Sequence, residues 1–475
     1  MKNKKKFLIV FSSILFVILL LGVCYKFLYK RVDISKIDSD CEVLRKIFSE
    51  ASIDIAQSID EGLDIDETIE EIKQLYAEDV KKKKLYMQIN ENGIAANRFA
   101  WSISTVLAKK LTHPNGHLSI TSPYQMYYPF NTYALFASDI LFEKSGTDYI
   151  VFSSSISKIK PGMVYTGSEE NLFKTILYGK ILYRFGYRSN GYLKTALINV
   201  DGKDYKIKVK LTPGNVQNIN NFSFYTQDDT LYVYSNTFNW HTQADQEKIF
   251  NDIKDIGKEI QNLNIKTIVF DLRHNTGGSS NVPYYLLRAL VCGDAADNSE
   301  EVETFQKYYS YLVSKETCIN TLTSRNRLSL QGRGSTNYTR YLLTKTDEKY
   351  SVYYDPDFEY LETVSPLYNG KIVIISDIFT GSSAEMFILG VKRTFKDNVV
   401  IIGQNTAGAL DYPNVYQFNL NDSKDSLLIS FSDMRSTPII KESDCWEGDC
   451  KGIAPDYWYT FNGDFLLSKV LEFLQ

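Results

Sequence analysis

A chain of 475 residues is long enough for about two to four domains with hydrophobic cores, so its stability does not require disulfide bonds. The net charge at neutral pH is −4, and the lysines and arginines are spread along the chain rather than gathered in one stripe. That distribution argues against nucleic acid as a partner. The four histidines and six cysteines do not have the spacing of metal ligands, so we expect neither a metal nor another cofactor.

Residues 7–25 have the pattern of a membrane anchor. Four lysines occur within residues 1–6, and the next 19 residues are apolar apart from two serines and a glycine. That length spans the hydrocarbon core of a bilayer, and the small-x-small cleavage site of a signal peptide is not evident. The denser positive charge precedes the span, so residues 1–31 are predicted to be a cytoplasmic tip and an anchor. The sequence thus predicts a single-pass protein of the cell membrane whose bulk is extracytoplasmic.

Cys445 and Cys450 lie five positions apart in a polar stretch. In an extracytoplasmic loop such a pair is typical of a disulfide. We therefore predict a bond between these two cysteines.

Two regions with different hydrophobic patterns follow the anchor. Residues 32–118 contain three segments with helical periodicity, which predict a helical domain. Residues 119–225 are rich in Tyr, Val and Ile and predict a β-rich module with one helix near residues 169–178. A peptide-binding domain of the PDZ type is one candidate for this module. The three helical segments are residues 36–59, 64–84 and 93–111.

Residues 226–475 alternate between strand and helix patterns. Such alternation predicts an α/β layer with its reactive loops at the ends of strands. The insert at residues 293–369 is too long for a plain connection, which makes it a candidate lid or substrate platform. The predicted strands are 231–235, 266–272, 371–377, 398–402 and 425–431, and the predicted helices are 243–262, 282–291 and 386–395.

The sequence TGSSAE at residues 380–385 lies between a predicted strand and a predicted helix. A turn of this composition at such a junction exposes a serine hydroxyl beside the first N–H groups of the helix, which can stabilise negative charge on a substrate oxygen. Ser382 is therefore a candidate nucleophile. The alternative is that Ser382 or Ser383 only caps the helix.

The run DLRHNTGG at residues 271–278 follows a predicted buried strand. Paired glycines let the backbone approach a ligand and point N–H groups at it, although an ordinary tight turn has the same composition. The serine elbow follows one α/β unit later. Backbone donors from two loops with a serine between them favour an acyl-transfer site.

These two runs resemble motifs of the tail-specific, or carboxyl-terminal processing, serine peptidases. That family is related to the tricorn core protease and to interphotoreceptor retinoid-binding protein. The sequences IGQNTAG at residues 402–408 and GIAPD at residues 452–456 complete a series of four motifs in the family's order. The resemblance covers residues 226–475 and implies a crotonase-like α/β core.

The resemblance also implies roles for individual residues. Ser382 would be the nucleophile, and the N–H groups of Ser383 and of either Gly277 or Gly278 would form the oxyanion hole. Glu385 would support the elbow rather than react.

The chain departs from the processing peptidases at the catalytic base. Those enzymes use a lysine just after the T-x-G turn, and here that position is Ala409. The tricorn-like branch instead uses a histidine ahead of the core, and the sequence NGHL at residues 115–118 resembles that element. Histidine titrates near neutrality, which suits a general base, so we predict that His117 is the base, with His113 as the next candidate. The remaining histidines are His241 and His274.

A histidine base is commonly oriented by a third group. The resemblance to tricorn points to an acidic residue shortly before the closing motif, in the sequence CWEGDC at residues 445–450. We predict that Glu447 has this role, and Asp449 is the alternative. A solvated acidic loop is the alternative to both.

These features predict a membrane-anchored, extracytoplasmic serine endopeptidase that cleaves extended or unfolded polypeptides through a Ser-His mechanism. The predicted fold class is α/β, with a crotonase-like core, an N-terminal helical domain, a β-rich module and one transmembrane helix. The predicted partners are a polypeptide substrate and the membrane. The alternative function is a non-catalytic binding protein for an apolar ligand or a peptide, because the lysine is missing and the retinoid-binding relative shares the scaffold.

Overall fold

The computed structural model describes residues 14–21, 37–82, 91–211, 222–312, 315–319, 350–354, 364–413, 415–420, 427–437, 445–459 and 465–474. Over these residues the chain has a mixed α/β fold whose strands form four sheets.

The helix Gln243–Asn262 begins where a polar cap precedes an apolar periodic stretch. The Thr242 hydroxyl accepts from the Asp245 N–H at 3.1 Å, and the Asp245 carboxylate accepts from the Thr242 N–H at 3.0 Å. The helices are α1 Asp38–Glu50, α2 Ile53–Asp60, α3 Ile65–Lys82, α4 Glu91–Lys110, α5 Gln243–Asn262, α6 Asn281–Cys292, α7 Glu300–Leu312, α8 Ser383–Phe395 and α9 Leu467–Leu474. Short 3-10 turns lie at Glu169–Asn171 and Lys396–Asn398.

The strands are numbered in chain order. They are β1 Ser119–Thr121, β2 Met126–Tyr127, β3 Ala134–Ser145, β4 Asp148–Ser153, β5 Val164–Tyr165, β6 Leu172–Leu177, β7 Lys180–Ser189, β8 Thr195–Val200, β9 Lys203–Lys208, β10 Lys210–Leu211, β11 Phe222–Gln227, β12 Thr230–Ser235, β13 Thr267–Asp271, β14 Lys315–Ile319, β15 Tyr350–Tyr354, β16 Lys371–Ser376, β17 Val399–Gly403, β18 Val415–Asn419, β19 Leu428–Ser432, β20 Met434–Thr437 and β21 Tyr457–Trp458.

A six-stranded sheet in the order β11-β12-β13-β16-β17-β21 is the centre of the fold. Its strands are parallel except for β11, which runs antiparallel to β12. One face packs against α5, α6 and α8, and the other packs against α9 and strands β3, β6 and β7. Strands covered on both faces are nearly continuous apolar runs, and every residue of β13 is buried. Because β13 and β16 are parallel neighbours, with Asp271 opposite Ile375, the loops after them start side by side.

The strands of residues 134–211 form an antiparallel sheet in the order β6-β7-β3-β4-β5-β8-β9, with β10 paired to β3. A separate three-stranded sheet has the order β15-β14-β20.

The helices α1 to α4 share a core with a four-stranded sheet in the order β18-β19-β1-β2. Ile120 of β1 lies opposite Ile429 of β19, and both side chains are fully buried. This pairing joins chain segments about 300 residues apart along the sequence. The turn between α4 and β1, at residues 115–118, lies against Gly408 and Ala409, which follow strand β17 of the central sheet.

The predicted fold class included a transmembrane helix, and the structure contradicts that part of the prediction. Residues 14–21 are helical, and the other positions of the predicted span 7–25 lie outside the described residues. Within the part of the chain that the structure describes, no helix combines the length and the apolar character needed to cross a bilayer. The fold class is therefore corrected to a mixed α/β fold with several sheets and helices. An extracytoplasmic location is untested and stays a prediction.

Two further sequence predictions are wrong. Residues 169–178 do not form a helix: the 3-10 turn at Glu169–Asn171 is followed by β6, which pairs along its whole length with β7. The hydrogen bonds between β6 and β7 stabilise the extended conformation more than the local sequence favours a helix. Cys450 is a free, buried cysteine, so the predicted disulfide with Cys445 is not formed.

Candidate active site

Ser382 lies at the turn between β16 and α8. Its backbone has φ 56° and ψ −126°, a conformation that side chains rarely adopt and that the surrounding structure must hold in place. Ser382 occupies the N-cap position of α8, and its N–H donates to Oε2 of Glu385 at 2.9 Å. The strained elbow and the helix cap are thus the same residue. The Ser382 side chain is half-buried beside the first N–H groups of the helix.

Glu385 ties the elbow to the turn that follows β17. Its carboxylate is fully buried and accepts from the N–H of Gly408 at 2.7 Å, from the N–H of Ala409 at 2.8 Å and from the Thr406 hydroxyl, in addition to Ser382. Burial raises the pKa of Glu385 to about 7, and these hydrogen bonds oppose the rise. The side chain is occupied on both oxygens, which agrees with a supporting role.

The glycine run after β13 touches the elbow, as the sequence predicted for two neighbouring loops. The N–H of Gly381 donates to the carbonyl of Asn275 at 2.9 Å. Gly277 has φ 87°, and a Cβ at that position would lie 2.7 Å from Cβ of Ser382 and 2.9 Å from the nitrogen of Ser383. Only glycine permits this approach.

The structure distinguishes the two glycines that were candidates for the oxyanion hole. The N–H of Gly277 already donates to Oδ1 of Asn275 at 3.0 Å. In the described residues, the N–H of Gly278 and the N–H of Ser383 have no hydrogen-bond acceptor. Two backbone donors from different loops therefore remain available next to Ser382, which is the arrangement that an oxyanion hole needs.

His117 follows α4 in a turn held by the side chain of Asn115. Oδ1 of Asn115 accepts from the N–H of His117 at 2.8 Å and from the N–H of Leu118 at 3.2 Å. Burial lowers the pKa of His117 to about 4, and a hydrogen bond to the backbone of Tyr412 opposes this effect. Nδ1 of His117 is buried and has no partner among the described residues. The imidazole is therefore neutral at physiological pH, with one ring nitrogen available to accept a proton.

Ala409 lies between the histidine turn and the elbow. Its Cβ is 3.0 Å from the place that a Cβ on Gly116 would take, and 3.9 Å from the place that a Cβ on Gly381 would take. Gly116 precedes His117 and Gly381 precedes Ser382, so the residues just before the two predicted catalytic residues lie near one small side chain. The structure records no hydrogen bond between His117 and Ser382; such bonds are often long before substrate binds.

The two acidic candidates for orienting the histidine have different surroundings. Asp449 is buried, and its carboxylate accepts from the N–H groups of Leu410 at 3.2 Å, Asp411 at 2.9 Å and Gly116 at 3.3 Å. Burial, together with the negative charge of Asp411, raises the pKa of Asp449 well above its usual range. Asp449 is thus the acidic residue that contacts the turn of His117.

Glu447, the residue preferred from the sequence, faces away from this turn. Its carboxylate forms an ion pair with Arg188 of β7, and the same guanidinium donates to the carbonyl of Lys451 at 2.9 Å. The structure therefore brings Glu447 to the antiparallel sheet rather than to the histidine. Its catalytic role stays a prediction.

The other histidines have other surroundings. His113 pairs with Glu61, at 2.8 Å between Nε2 and Oε1, and His241 is exposed ahead of α5. Nε2 of His274 lies 3.1 Å from Oδ2 of Asp377.

Asp377 is a site residue that the sequence analysis missed. It is fully buried, and Oδ1 accepts from the N–H groups of His274 at 3.0 Å, Phe379 at 3.0 Å and Thr380 at 3.1 Å. Asp377 therefore links the glycine run to the residues that precede the Ser382 turn. Its position at the end of the strand before the elbow was a usable signal, because polar residues at that edge of a parallel sheet face the site.

The sequence model of peptidase family S41 matches residues 229–458. No curated protein matches the chain. Among solved structures, mature CPAF is 13% identical, with 92% of this chain and 96% of that chain covered and a TM-score of 0.41. The photosystem II D1 C-terminal processing protease is 12% identical, with 90% and 93% covered and a TM-score of 0.34. The tricorn protease is 12% identical, with 90% and 34% covered and a TM-score of 0.31.

The availability of the Gly278 N–H generates a first prediction. In Gly278→Ala the new Cβ would lie 2.6 Å from Oδ1 of Asn239, at a backbone φ of 139°. The backbone must therefore shift, and the N–H of residue 278 no longer points at the substrate oxygen. The rate of covalent reaction with a fluorophosphonate should fall by about a hundredfold or more. Gly202→Ala is the matched control, because Gly202 also has a positive φ but its Cβ would meet nothing within 4 Å. Full reactivity of a folded Gly278→Ala variant would place the oxyanion hole elsewhere.

The raised pKa of Glu385 generates a second prediction, on stability against pH. As pH rises from the ordinary value of 4.5 to about 7, the unfolded chain loses the proton while the folded chain keeps it, so this carboxyl group's contribution to stability declines. Glu385→Gln does not titrate. Relative to the variant, the wild type should lose about 3 kcal/mol of unfolding free energy between pH 4.5 and pH 8.

Denaturant titrations of both proteins at several pH values measure this difference. Glu300→Gln, at an exposed position in α7, is the control and should follow the wild type at every pH. Parallel curves for wild type and Glu385→Gln would mean that Glu385 is ionised throughout the range.

Proposed function

The chain belongs to peptidase family S41 through residues 229–458 and is a serine peptidase, and we propose that it cleaves peptide bonds with Ser382 as nucleophile and His117 as base. The oxyanion hole in this proposal consists of the N–H groups of Gly278 and Ser383. The single observation that carries it is the packing of both Gly116 and Gly381 around Ala409. In this proposal the loops that carry the base and the nucleophile meet at Ala409, the position where the processing peptidases have their lysine.

The state of the imidazole supports this assignment. Among the described residues Nδ1 of His117 has no partner, and we assign the hydrogen bond to the Tyr412 backbone to the other ring nitrogen. A hydrogen bond from that nitrogen to a carbonyl fixes the tautomer and leaves the lone pair of Nδ1 free. Nδ1 is then the atom that takes the proton from Oγ of Ser382.

The steps of the reaction follow from these positions. As Oγ of Ser382 bonds to the substrate carbonyl carbon, its proton passes to Nδ1 of His117, and the carbonyl oxygen becomes an oxyanion held by Gly278 and Ser383. The imidazolium returns its proton to the departing amine, and the C–N bond breaks to leave an acyl-enzyme. A water molecule then gives a proton to His117 and attacks the ester carbon. As the C–O bond to Ser382 breaks, the imidazolium returns this proton to Oγ, which releases the acid and restores both residues.

A polypeptide is the substrate, and we propose that it binds as an extended or unfolded segment. Ser382 is half-buried beside the glycine run, so a flat folded surface brings a peptide bond to it less easily than an extended segment does. An extended segment exposes the carbonyl on a narrow backbone that can enter between the two loops.

A third prediction concerns the two proposed catalytic residues. Ser382→Ala, His117→Ala and the double variant should each lose hydrolysis of unfolded casein to a similar floor, because residues that act as one unit are not additive. His113→Ala is the matched control and should keep the wild-type rate. A His117→Ala variant that reacts with a fluorophosphonate as fast as wild type would remove His117 from the mechanism. A wild type that neither reacts nor cleaves would favour the binding-protein alternative.

A fourth prediction concerns the pH dependence of the same reaction. The base must be neutral, and burial keeps His117 neutral down to a pKa of about 4, below the near-neutral value expected from the sequence. The rate of fluorophosphonate labelling should therefore stay close to its maximum at pH 5 and decline as the pH falls through about 4. Circular dichroism at each pH identifies the range in which the protein is folded. A decline centred between pH 6 and 7 would contradict a buried base.

A further inference from the structure

A buried polar bridge connects α2 to the turn of His117. Asp54, in the first turn of α2, accepts from the Ser52 hydroxyl at 2.6 Å through Oδ1 and from Nδ2 of Asn115 at 3.0 Å through Oδ2. Asn115 uses its own oxygen to accept from the N–H of His117. Ser52, Asp54 and Asn115 are all fully buried. A continuous chain of hydrogen bonds thus runs from α2 to the backbone of the proposed base.

Helix α2 also packs against Tyr412, the residue whose backbone is hydrogen-bonded to the His117 imidazole. Ile53 and Ala56 of α2 form a buried cluster with the ring of Tyr412. One helix therefore fixes the turn before His117 by a polar contact and the acceptor of its side chain by an apolar contact. Both contacts act on the direction in which Nδ1 points.

The chemistry of Asp54 is unusual for a residue that only stabilises a helix. A carboxylate near a helix N-terminus is favourable, but an exposed one provides that benefit without desolvation. Asp54 is instead buried, and in the described residues it has no cationic partner, so burial raises its pKa and its charge is held by neutral donors alone. Such an arrangement is common at functional sites.

We propose that Asp54 and Asn115 are positioning residues for the base, so that α2 helps to orient the imidazole of His117. Asp54 fixes the amide of Asn115 with its NH2 group toward the helix. The oxygen of that amide is then turned toward the N–H groups of His117 and Leu118, which closes the turn and directs the imidazole. This inference rests on the proposed role of His117.

The direction of the Asp54–Asn115 hydrogen bond permits an exchange experiment. Asn115→Asp places two carboxylates about 3 Å apart, which is unfavourable. In Asp54→Asn the new NH2 group replaces one carboxylate oxygen. If it faces Asn115, two NH2 groups oppose each other, and a flip of Asn115 would turn its oxygen away from His117; if it faces Ser52, the bond accepted from that hydroxyl is lost, so the bridge is weakened in either orientation. In Asp54→Asn/Asn115→Asp the amide of residue 54 donates to the carboxylate of residue 115, whose other oxygen still accepts from His117. The exchange reverses one hydrogen bond and keeps the turn.

The readout is the saturation kinetics of fluorophosphonate labelling of the full chain. Each single variant should lower the maximal labelling rate by about a hundredfold, because the base is misdirected, and leave the half-saturating concentration unchanged. The double variant should recover most of the wild-type rate. Asp79→Asn is the matched control: Asp79 pairs with Arg98 between α3 and α4, in the same helical layer but away from His117. It should lower the melting temperature without changing the labelling rate of the folded protein.

The outcomes separate this inference from the proposed function. If His117→Ala abolishes labelling while folded Asp54→Asn and Asn115→Asp label like wild type, the positioning role is wrong and the base is right. A folded double variant that stays as slow as the single variants also overturns the positioning role. If Asn115→Asp does not fold, Asp54→Asn and the double variant decide the question. If His117→Ala labels as fast as wild type, both proposals fail together.

Discussion

The active site depends on how two buried carboxylates satisfy consecutive backbone N–H groups. Glu385 accepts from Gly408 and Ala409, and Asp449 accepts from Leu410 and Asp411. Each carboxylate also accepts one N–H from the loop of a proposed catalytic residue, at Ser382 and at Gly116. A buried carboxylate without donors is strongly destabilising, so the elbow, the turn after β17 and the histidine turn must form together. The spacing of nucleophile and base is thus fixed through the backbone rather than by direct contact.

Much of the central layer could be predicted because its signals are local. Helix α5 begins and ends at the predicted residues, since its cap and its apolar period both lie within the segment. The glycine run and the elbow were expected to meet, because the loops after two neighbouring parallel strands start at one edge of a sheet. The helix predicted near residues 169–178 is wrong for the opposite reason. The conformation of these residues depends on pairing with β7, and the local sequence pattern carries no information about that pairing.

The surroundings of the histidine could not be predicted, because they depend on contacts between distant parts of the chain. The missing lysine made His117 a candidate base, but its burial, and hence the direction of its pKa shift, depends on how the rest of the chain packs around it. Asp54 lies 61 residues before Asn115, and Glu447 pairs with an arginine 259 residues earlier. Sequence spacing carries no signal for such pairs. The contact of Asp449 with the turn of His117 is therefore visible only in the folded structure.

The close packing of Gly116 limits how this site can change over evolution. A Cβ there would lie 2.4 Å from the carbonyl oxygen of Gly408, so the histidine turn rests directly on the backbone beside Ala409. A lysine at position 409 would begin against this turn, because Cβ of Ala409 already lies 3.0 Å from the place that a Cβ on Gly116 would take. We therefore expect the histidine turn to leave little room for a lysine base, so that one substitution at position 409 does not convert one mechanism into the other. A lineage that moves between the two must remodel the loop after α4 and residue 409 together, or pass through an inactive ancestor.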